Sequence, residues 1–338
     1  MASNGIRDRV AIVGMGCTPF GEHWDKGADD LLVDACKEAY ASAGVEADAV
    51  DAYWLGTMGS GTSGLVLSEA LKLPYKPVTR LENMCATGSE AMRNAAYAKK
   101  YGVDEGTLKD VISRIAWKNH VNGAKNPKAQ FQKEVPMEQI MNSPRVAGMF
   151  GVFDCSGVSD GSAAAILCRA EDAHKYTDHP IFIKALSFVA GPAEGYFNQE
   201  YDFTTFQEVV ASCQDAYKQA GIQNPREEIG MAEVHDCFTA TELVLMEDMG
   251  FSARGQAWKD VLDGRFDGTG PQPVNPDGGL KSFGHPIGAS GLRMMYEMWL
   301  QLRGEAGARQ IRDPKLGLTH NLGGQPGRCV SFVSVVGR

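Results

Sequence analysis

The chain alternates short apolar runs, typical of buried strands, with longer segments in which apolar residues recur at helical spacing. Runs of the first kind span 10–14, 161–168, 181–189 and 329–336. The last of these is rich in β-branched residues, which favour strands. Strands that alternate with helices in this way predict an α/β architecture with largely parallel sheets.

An internal repeat indicates that the chain is built from two related halves. Residues 35–45 and 212–222 have Cys, Ala, Tyr, Ala and Gly at the same positions when residue 35 is aligned with residue 212. Each copy is predicted to be an amphipathic helix that ends at glycine. Each is followed by an apolar strand, at 52–55 and 231–234. Ala-rich helices can resemble one another by chance, but the matched strands favour duplication.

Composition narrows the class of protein. The 338 residues include 33 Lys and Arg against 42 Asp and Glu, a formal net charge of −9. An acidic surface argues against nucleic acid as a partner. No run approaches the roughly 18–20 apolar residues of a membrane span, and no secretory leader is expected, so we expect a cytoplasmic protein. The eight cysteines form no Cys-x-x-Cys pair, so no metal site is expected.

One basic run stands out within this acidic chain. It lies between residues 114 and 133 and contains Arg114, Lys118, Lys125, Lys128 and Lys133, without an acidic residue among them. Two interpretations are open. The run is either a solvated face or a landing site for a polyphosphate, such as that of coenzyme A.

Two glycine-containing turns carry candidate nucleophilic chemistry. Cys85 precedes a helix predicted over 87–98, and a helix N-terminus stabilises a thiolate. His285 lies in a second such turn, at 283–291, before a helix predicted over 292–303. Because residues 289–291 echo 86–88, the two turns can be equivalent ends of paired helices. A Cys/His arrangement for nucleophilic catalysis would result; a buried inert cysteine and a structural histidine are the alternatives.

Two further segments carry polar groups suited to a site. His235 and Cys237 follow a predicted strand and open the helix predicted over 240–249, where α/β proteins place active sites. Residues 320–327, which include Asn321 and Gly323, are predicted to be a glycine-rich turn. Its backbone N–H groups could bind an oxyanion, although a tight hairpin is an equal alternative.

In this order, the motifs resemble those of the thiolase family. The Cys85 segment is similar to the family's nucleophile motif, Gly284-His285-Pro286 to its Gly-His-Pro loop, and residues 235–238 to the form in sterol-carrier-protein-2-type and archaeal-type members. The resemblance implies a thiolase-like duplicated αβαβα fold, with mixed five-stranded sheets in both halves. The N-terminal half would span 1–200, with a loop-domain insertion at 99–150, and the C-terminal half 201–338.

The resemblance also implies a reaction: Claisen condensation of acyl-CoA units, or thiolysis of a 3-ketoacyl-CoA. Cys85 would carry the acyl group, and His285 would accept its proton. His235 and His285 would stabilise the enolate oxygen of the second thioester. The backbone N–H groups of Cys85 and Gly323 would form the other oxyanion hole. Coenzyme A thioesters would be the substrates, with no cofactor and no metal.

The sequence departs from the family pattern at two places. Residues Asn321-Leu322-Gly323 stand where most thiolases have Cys-x-Gly, so we hypothesise that Cys237 supplies the second acid/base function. After Ala98, the chain passes at once into residues similar to the later loop region. A central strand and part of the loop domain are therefore expected to be missing, which would remove a core element from the first half.

Partners follow from the resemblance alone. It implies a homodimer or tetramer, and archaeal-type relatives associate with a synthase and a small OB-fold subunit. Two alternatives to an independent enzyme stay open: a thiolase-like subunit of a multicomponent acyltransferase complex, and a non-catalytic acyl-CoA-binding scaffold. Neither nucleic acid nor a membrane is expected as a partner.

Overall fold

The computed structural model describes residues 7–57, 63–81, 97–193, 201, 203–325 and 327–338. The strands are β1 (Val10–Cys17), β2 (Tyr53–Gly56), β3 (Val78–Leu81), β4 (Arg145–Ala147), β5 (Phe150–Gly151), β6 (Ala163–Arg169), β7 (Ile181–Ala190), β8 (Met231–Glu233), β9 (Leu316–Gln325) and β10 (Arg328–Gly337). The helices are α1 (Ala28–Ala43), α2 (Leu65–Leu71), α3 (Glu105–Gly123), α4 (Met137–Met141), α5 (Gln207–Ala220), α6 (Pro225–Glu228), α7 (Thr239–Asp248), α8 (Ala257–Leu262), α9 (Gly279–Ser282) and α10 (Ser290–Arg303). None of these helices has the length and apolar character needed to cross a membrane.

Six of the strands form one mixed sheet in the order β6-β1-β7-β10-β9-β8. Within it, only β8 and β9 run parallel, and the other neighbours are antiparallel. β2 and β3 form a separate parallel pair, and β4 and β5 an antiparallel pair. The α/β class predicted from the sequence is confirmed. The expectation of largely parallel sheets is wrong, because the chain also joins neighbouring strands by short connections, as between β9 and β10.

The predicted repeat is present as two helix–strand units. α1 ends at Gly44 and α5 at Gly221, both with left-handed backbone (φ 66° and 77°). β2 follows α1, and β8 follows α5. α1 packs against β1, while α5 packs against β7 and β10. In each copy, the repeated helix thus packs against the first strand of that copy, which is β1 for α1 and β7 for α5.

Close contact between α1 and β1 depends on small residues. Ala35, Ala39 and Ala43 form the buried face of α1. A Cβ added to Gly16 in β1 would lie 2.2 Å from the Ala35 carbonyl oxygen. Any larger residue there would therefore push the helix off the strand.

The two copies differ in the middle of their sheets. We define the first strand group as β1, β2, β3 and β6, and the second strand group as β7 to β10. In the second group, β9 lies between β8 and β10. In the first group, no strand of the described chain lies between β2 and β6, which are the corresponding elements. The central strand expected to be missing after Ala98 stays a prediction, because residues 82–96 lie outside the described chain.

The glycine-rich segment 320–327 is mostly strand rather than turn. β9 continues to Gln325, which pairs with Arg328 in β10. The tight-hairpin interpretation is therefore correct. Because β9 pairs with β10 along its whole length, the glycines of this segment are strand residues of the sheet.

The basic run 114–133 is largely used inside the fold. Arg114 pairs with Asp267 at 2.5 Å, Lys118 with Glu242 at 2.6 Å, and Lys128 with Glu38 at 2.6 Å. Lys118 is 3% exposed, so the interpretation as a solvated face is wrong for that residue. Carboxylates distant in sequence neutralise these three cations, which leaves only Lys125 and Lys133 of the run for a polyphosphate.

Candidate active site

His235 and Cys237 lie in the short segment that connects β8 to α7. Both are buried, with exposed fractions of 3% and 5%. Asp236 between them points the other way, and its carboxylate accepts hydrogen bonds from the backbone N–H groups of Leu280 (2.6 Å) and Lys281 (3.2 Å). The strand end and α9 are thereby held together, which fixes the direction of the two neighbouring side chains.

A buried polar network extends from Asp236. The Asn119 side-chain amide donates to Asp236 at 2.7 Å and to Glu242 at 3.0 Å. Glu242 also accepts from the Lys118 ammonium at 2.6 Å. Burial and, second to it, the Glu242 carboxylate raise the pKa of Asp236 to about 7. The sequence does not reveal this role of Asn119, because Asp236 and Glu242 lie 117 and 123 positions away.

His285 packs against His235. Their ring centroids are 5.3 Å apart, and the rings are nearly perpendicular at 87°. The backbone N–H of His285 donates to Ser159 Oγ at 2.6 Å. Gly284 has φ +116°, and a Cβ there would lie 2.8 Å from the same oxygen. The Gly-His-Pro sequence is therefore needed for the approach of Ser159 as well as for the turn.

Ser290 determines which nitrogen of the His285 ring carries a proton. Its hydroxyl lies 2.8 Å from His285 Nδ1 and donates to the Pro286 carbonyl at 3.0 Å. Because the hydroxyl proton is used on the carbonyl, Oγ accepts a hydrogen bond from Nδ1–H. His285 Nε2 then has the lone pair and can accept a proton, as a general base requires.

A large apolar cavity connects the candidate residues. It measures about 1960 Å³, and Cys237, His285 and Asn321 all line it. Gly323 is buried in β9 opposite Val330 and is not among the lining residues. Cys85 lies outside the described residues. The structure therefore brings together four of the predicted site residues, namely His235, Cys237, His285 and Asn321.

A buried arginine ties the two histidine-bearing segments together. Arg293, fully buried near the start of α10, donates to Glu233 at the end of β8 and to Asp277, both at 2.5 Å. Burial and then the Asp277 charge raise the pKa of Glu233. One guanidinium thus faces two buried carboxyl groups. The sequence carries no signal for this triad, because its members are far apart.

Other thiols in the described chain are poor nucleophiles. Burial raises the pKa of Cys17 and of Cys213 to about 12, and that of Cys36 to about 11. These groups stay protonated near neutral pH, and a thiol reacts through its thiolate. Cys36 and Cys237 both line the cavity, but Cys237 lies two residues after His235, whose ring packs against that of His285.

The fold and site define a class of α/β protein in which a duplicated unit places histidine and cysteine side chains at one cavity. The model of the family "Thiolase C-terminal domain-like" matches residues 192–334. The acetyl-CoA acetyltransferase of Methanothermobacter thermautotrophicus is 34% identical over 97% of this chain and 99% of its own length. Bovine (Bos taurus) sterol carrier protein 2 is 30% identical over 94% of this chain and 70% of its own. The chain belongs to the thiolase family.

Two more distant matches add detail. The benzoylsuccinyl-CoA thiolase subunit BbsB of Thauera aromatica is 26% identical over 94% of this chain and 96% of its own length. A solved structure of an "Ltp2-ChsH2(DUF35) aldolase" aligns with a TM-score of 0.85 over 98% of each chain, at 22% identity. This last match confirms the predicted thiolase-like fold. The relatives together support an acyltransferase of thiolase type.

The alignment lengths bear on the missing segment. The match to the Methanothermobacter protein extends over 386 positions, whereas this chain has 338 residues. At least 48 of the aligned positions therefore contain no residue of this chain. A shortened chain is what the sequence predicts at Ala98.

Proposed function

We propose that this protein condenses acyl-CoA units, or cleaves 3-ketoacyl-CoA in the reverse direction, through an acyl thioester on Cys85. The observation that carries the proposal is the His235–His285 ring contact, because His285 lines the same cavity as Cys237. Two histidine rings whose centroids are 5.3 Å apart can both hydrogen-bond to one substrate oxygen. Such an arrangement suits this reaction, because both half-reactions develop negative charge on a thioester oxygen.

The first half-reaction uses Cys85 and His285. His285 Nε2 accepts the Cys85 proton, and the thiolate attacks the carbonyl carbon of the acyl-CoA. A new C–S bond forms, the bond to coenzyme A breaks, and coenzyme A leaves as a thiol with the proton from His285. The backbone N–H of Cys85 stabilises the oxyanion during this transfer. The resemblance implies Gly323 as the second donor, but Gly323 does not line the cavity.

The second half-reaction uses Cys237 and the histidine pair. Cys237 passes its thiol proton to His285 Nε2, and the resulting thiolate removes an α-proton from the second acyl-CoA. His235 and the Nε2–H of His285 then donate hydrogen bonds to the enolate oxygen. The α-carbon then attacks the acyl group on Cys85. A C–C bond forms, and Cys85 leaves as a thiolate, which regains a proton. Asn321 lines the same cavity and can orient the thioester.

Intact mass spectrometry after incubation with acetyl-CoA tests the covalent step. We expect one acetyl group on the wild type and none on Cys85→Ala. Cys168→Ala, which removes a half-buried thiol on β6, is the matched control and should still be acetylated. Equal acetylation of Cys85→Ala would contradict the proposal. So would a wild type that is inert to acetyl-CoA, acetoacetyl-CoA and longer acyl-CoAs, and that result would favour the non-catalytic scaffold.

A second candidate is a catalytic subunit that works in a multicomponent complex. It is favoured by the Thauera relative, whose name describes a thiolase subunit. Acetylation of Cys85 without condensation by the isolated chain, and its restoration by a partner protein, would support this candidate. Condensation by the isolated chain alone would exclude it. Sedimentation of the purified protein would test the proposed homodimer or tetramer.

A further inference from the structure

The space between β2 and β6 has two open strand edges. We call it the β2–β6 slot. β6 pairs with β1 on one side, and β2 pairs with β3 on one side. Within the described ranges, no strand pairs with the other edge of either. Each edge presents backbone N–H and C=O groups that another strand can bind.

The corresponding position in the second strand group is filled. There, β9 runs parallel to β8 and antiparallel to β10. Because β2 corresponds to β8 and β6 to β10, a strand in the slot would run parallel to β2 and antiparallel to β6. The duplication therefore specifies both the kind of occupant and its direction.

Side-chain burial shows the same difference. Seven of the ten residues of β10 are buried, whereas none of the seven residues of β6 is. Leu167 on β6 is 52% exposed, and Trp54 on β2 is 65% exposed. Large apolar side chains on both edges are thus uncovered in the first group, while their counterparts are packed in the second.

The cavity described above occupies this slot. Its lining includes all four residues of β2, all seven of β6, and apolar residues of α1 such as Leu32 and Ala39. It continues to His285 and Cys237. Its volume of about 1960 Å³ exceeds the roughly 300–1,000 Å³ of ordinary ligand cavities, so there is room for an element of secondary structure.

The backbone edges distinguish a strand from an apolar ligand. An acyl chain would cover Leu32 and Leu167, but it would leave the edge N–H and C=O groups buried without partners. Each such group costs about 1–3 kcal/mol. A strand would form hydrogen bonds with these backbone groups and would also cover the apolar side chains that line the slot.

We propose that the β2–β6 slot accepts one extended strand from a separate polypeptide. This strand carries small or apolar side chains at alternate positions. In β9, Leu318 and Leu322 are such residues, and both are buried. The chain itself is at least 48 positions shorter than the alignment with its Methanothermobacter relative, so the relative's sequence is a source of candidate strands.

Peptides of about 15 residues, tiled across the Methanothermobacter relative, can test the proposal, since a typical strand needs only about 5–6 residues. Hydrogen exchange is followed at residues 53–56 and 163–169. We expect fast exchange at the open edges of the free protein, and at least one peptide that slows exchange at both by about tenfold. Trp54 fluorescence should shift to shorter wavelength with the same peptide.

Matched variants separate strand addition from simple apolar binding. Leu167→Lys should abolish the effect of the peptide, whereas Val152→Lys should not, since Val152 is also 52% exposed but does not line the cavity. The same peptide with proline at alternate positions should fail, because proline lacks the N–H that pairs with an edge.

Three results would overturn the proposal. One is slow exchange at both edges in the free protein, which would mean that the edges are already paired. Another is the absence of any peptide that slows exchange. The third is a shift of Trp54 fluorescence with decanoyl-CoA but with no peptide, which would identify an acyl-chain cavity. None of these readouts measures catalysis, so the acylation of Cys85 is tested separately.

Discussion

β6 and β10 occupy corresponding places in the two strand groups, yet their surroundings differ. β10 lies between two antiparallel neighbours, β7 and β9, and packs into the largest core cluster, which extends from β10 to α5 and α7. β6 has a neighbour on one side only within the described chain. The comparison shows that a duplicated fold can keep its repeat in sequence while only one copy keeps a filled central sheet.

The largest effect is expected at the buried triad that supports the second group. Arg293→Met should destabilise the protein by about 3–5 kcal/mol, because Glu233 and Asp277 would stay buried without their cation. Urea unfolding followed by circular dichroism measures the change. Arg169→Met in the first group is the control, since that side chain is 80% exposed, and it should leave the midpoint unchanged. A smaller loss for Arg293→Met than for Arg169→Met would contradict the role of the triad.

The same substitution in the two groups tests the comparison directly. Leu318→Ala in β9, a fully buried position, should cost about 2–5 kcal/mol. Leu167→Ala in β6, where half of the side chain is exposed, should cost less than about 1 kcal/mol. Equal losses of unfolding free energy in urea titrations would show that β6 is as well packed as β9, and the comparison would fail.

Acid sensitivity should come from a histidine buried without charge. Burial lowers the pKa of His120 from 6.5 to about 3. Between these values the unfolded chain binds a proton that the folded protein does not, so stability decreases as the pH falls, by about 1.4 kcal/mol per pH unit. His120→Gln should flatten this decrease in urea midpoints measured from pH 7 to pH 4.5. His174→Gln, an exposed control, should keep the wild-type slope, and an unchanged slope in His120→Gln would contradict the prediction.

The smallest effect is expected at the hydrogen bond that orients His285. Ser290→Ala removes the acceptor of Nδ1–H and should lower the rate of Cys85 acetylation by about tenfold, the equivalent of roughly 1.4 kcal/mol. Rapid-quench mass spectrometry measures this rate. Ser143→Ala, whose hydroxyl bonds only the Ile140 carbonyl among the described residues, is the control. A rate for Ser290→Ala equal to that control would mean that the hydrogen bond does not prepare the base.

Local patterns in the sequence predicted much of the fold but little of the support around the site. The repeat identified α1 and α5 with their glycine ends, because helix periodicity and capping are encoded by neighbouring residues. The contact of His285 with Ser159 joins residues 126 positions apart, and no local signal reveals it. The ion pairs of the basic run were not predicted for the same reason: the carboxylates that neutralise Lys118 and Lys128 lie far away in sequence. The abrupt transition after Ala98 is a local signal, and the missing strand that it suggests stays a prediction.

Hydrogen exchange of the free protein tests the central comparison most directly, with β6 and β10 followed in the same sample. Our account predicts that β10 amides are protected along the strand, whereas β6 keeps protection only for the amides bonded to β1 and exchanges rapidly along its other edge. Equal and complete protection of 163–169 and 328–337 would contradict it, because β6 would then have a paired neighbour on both sides.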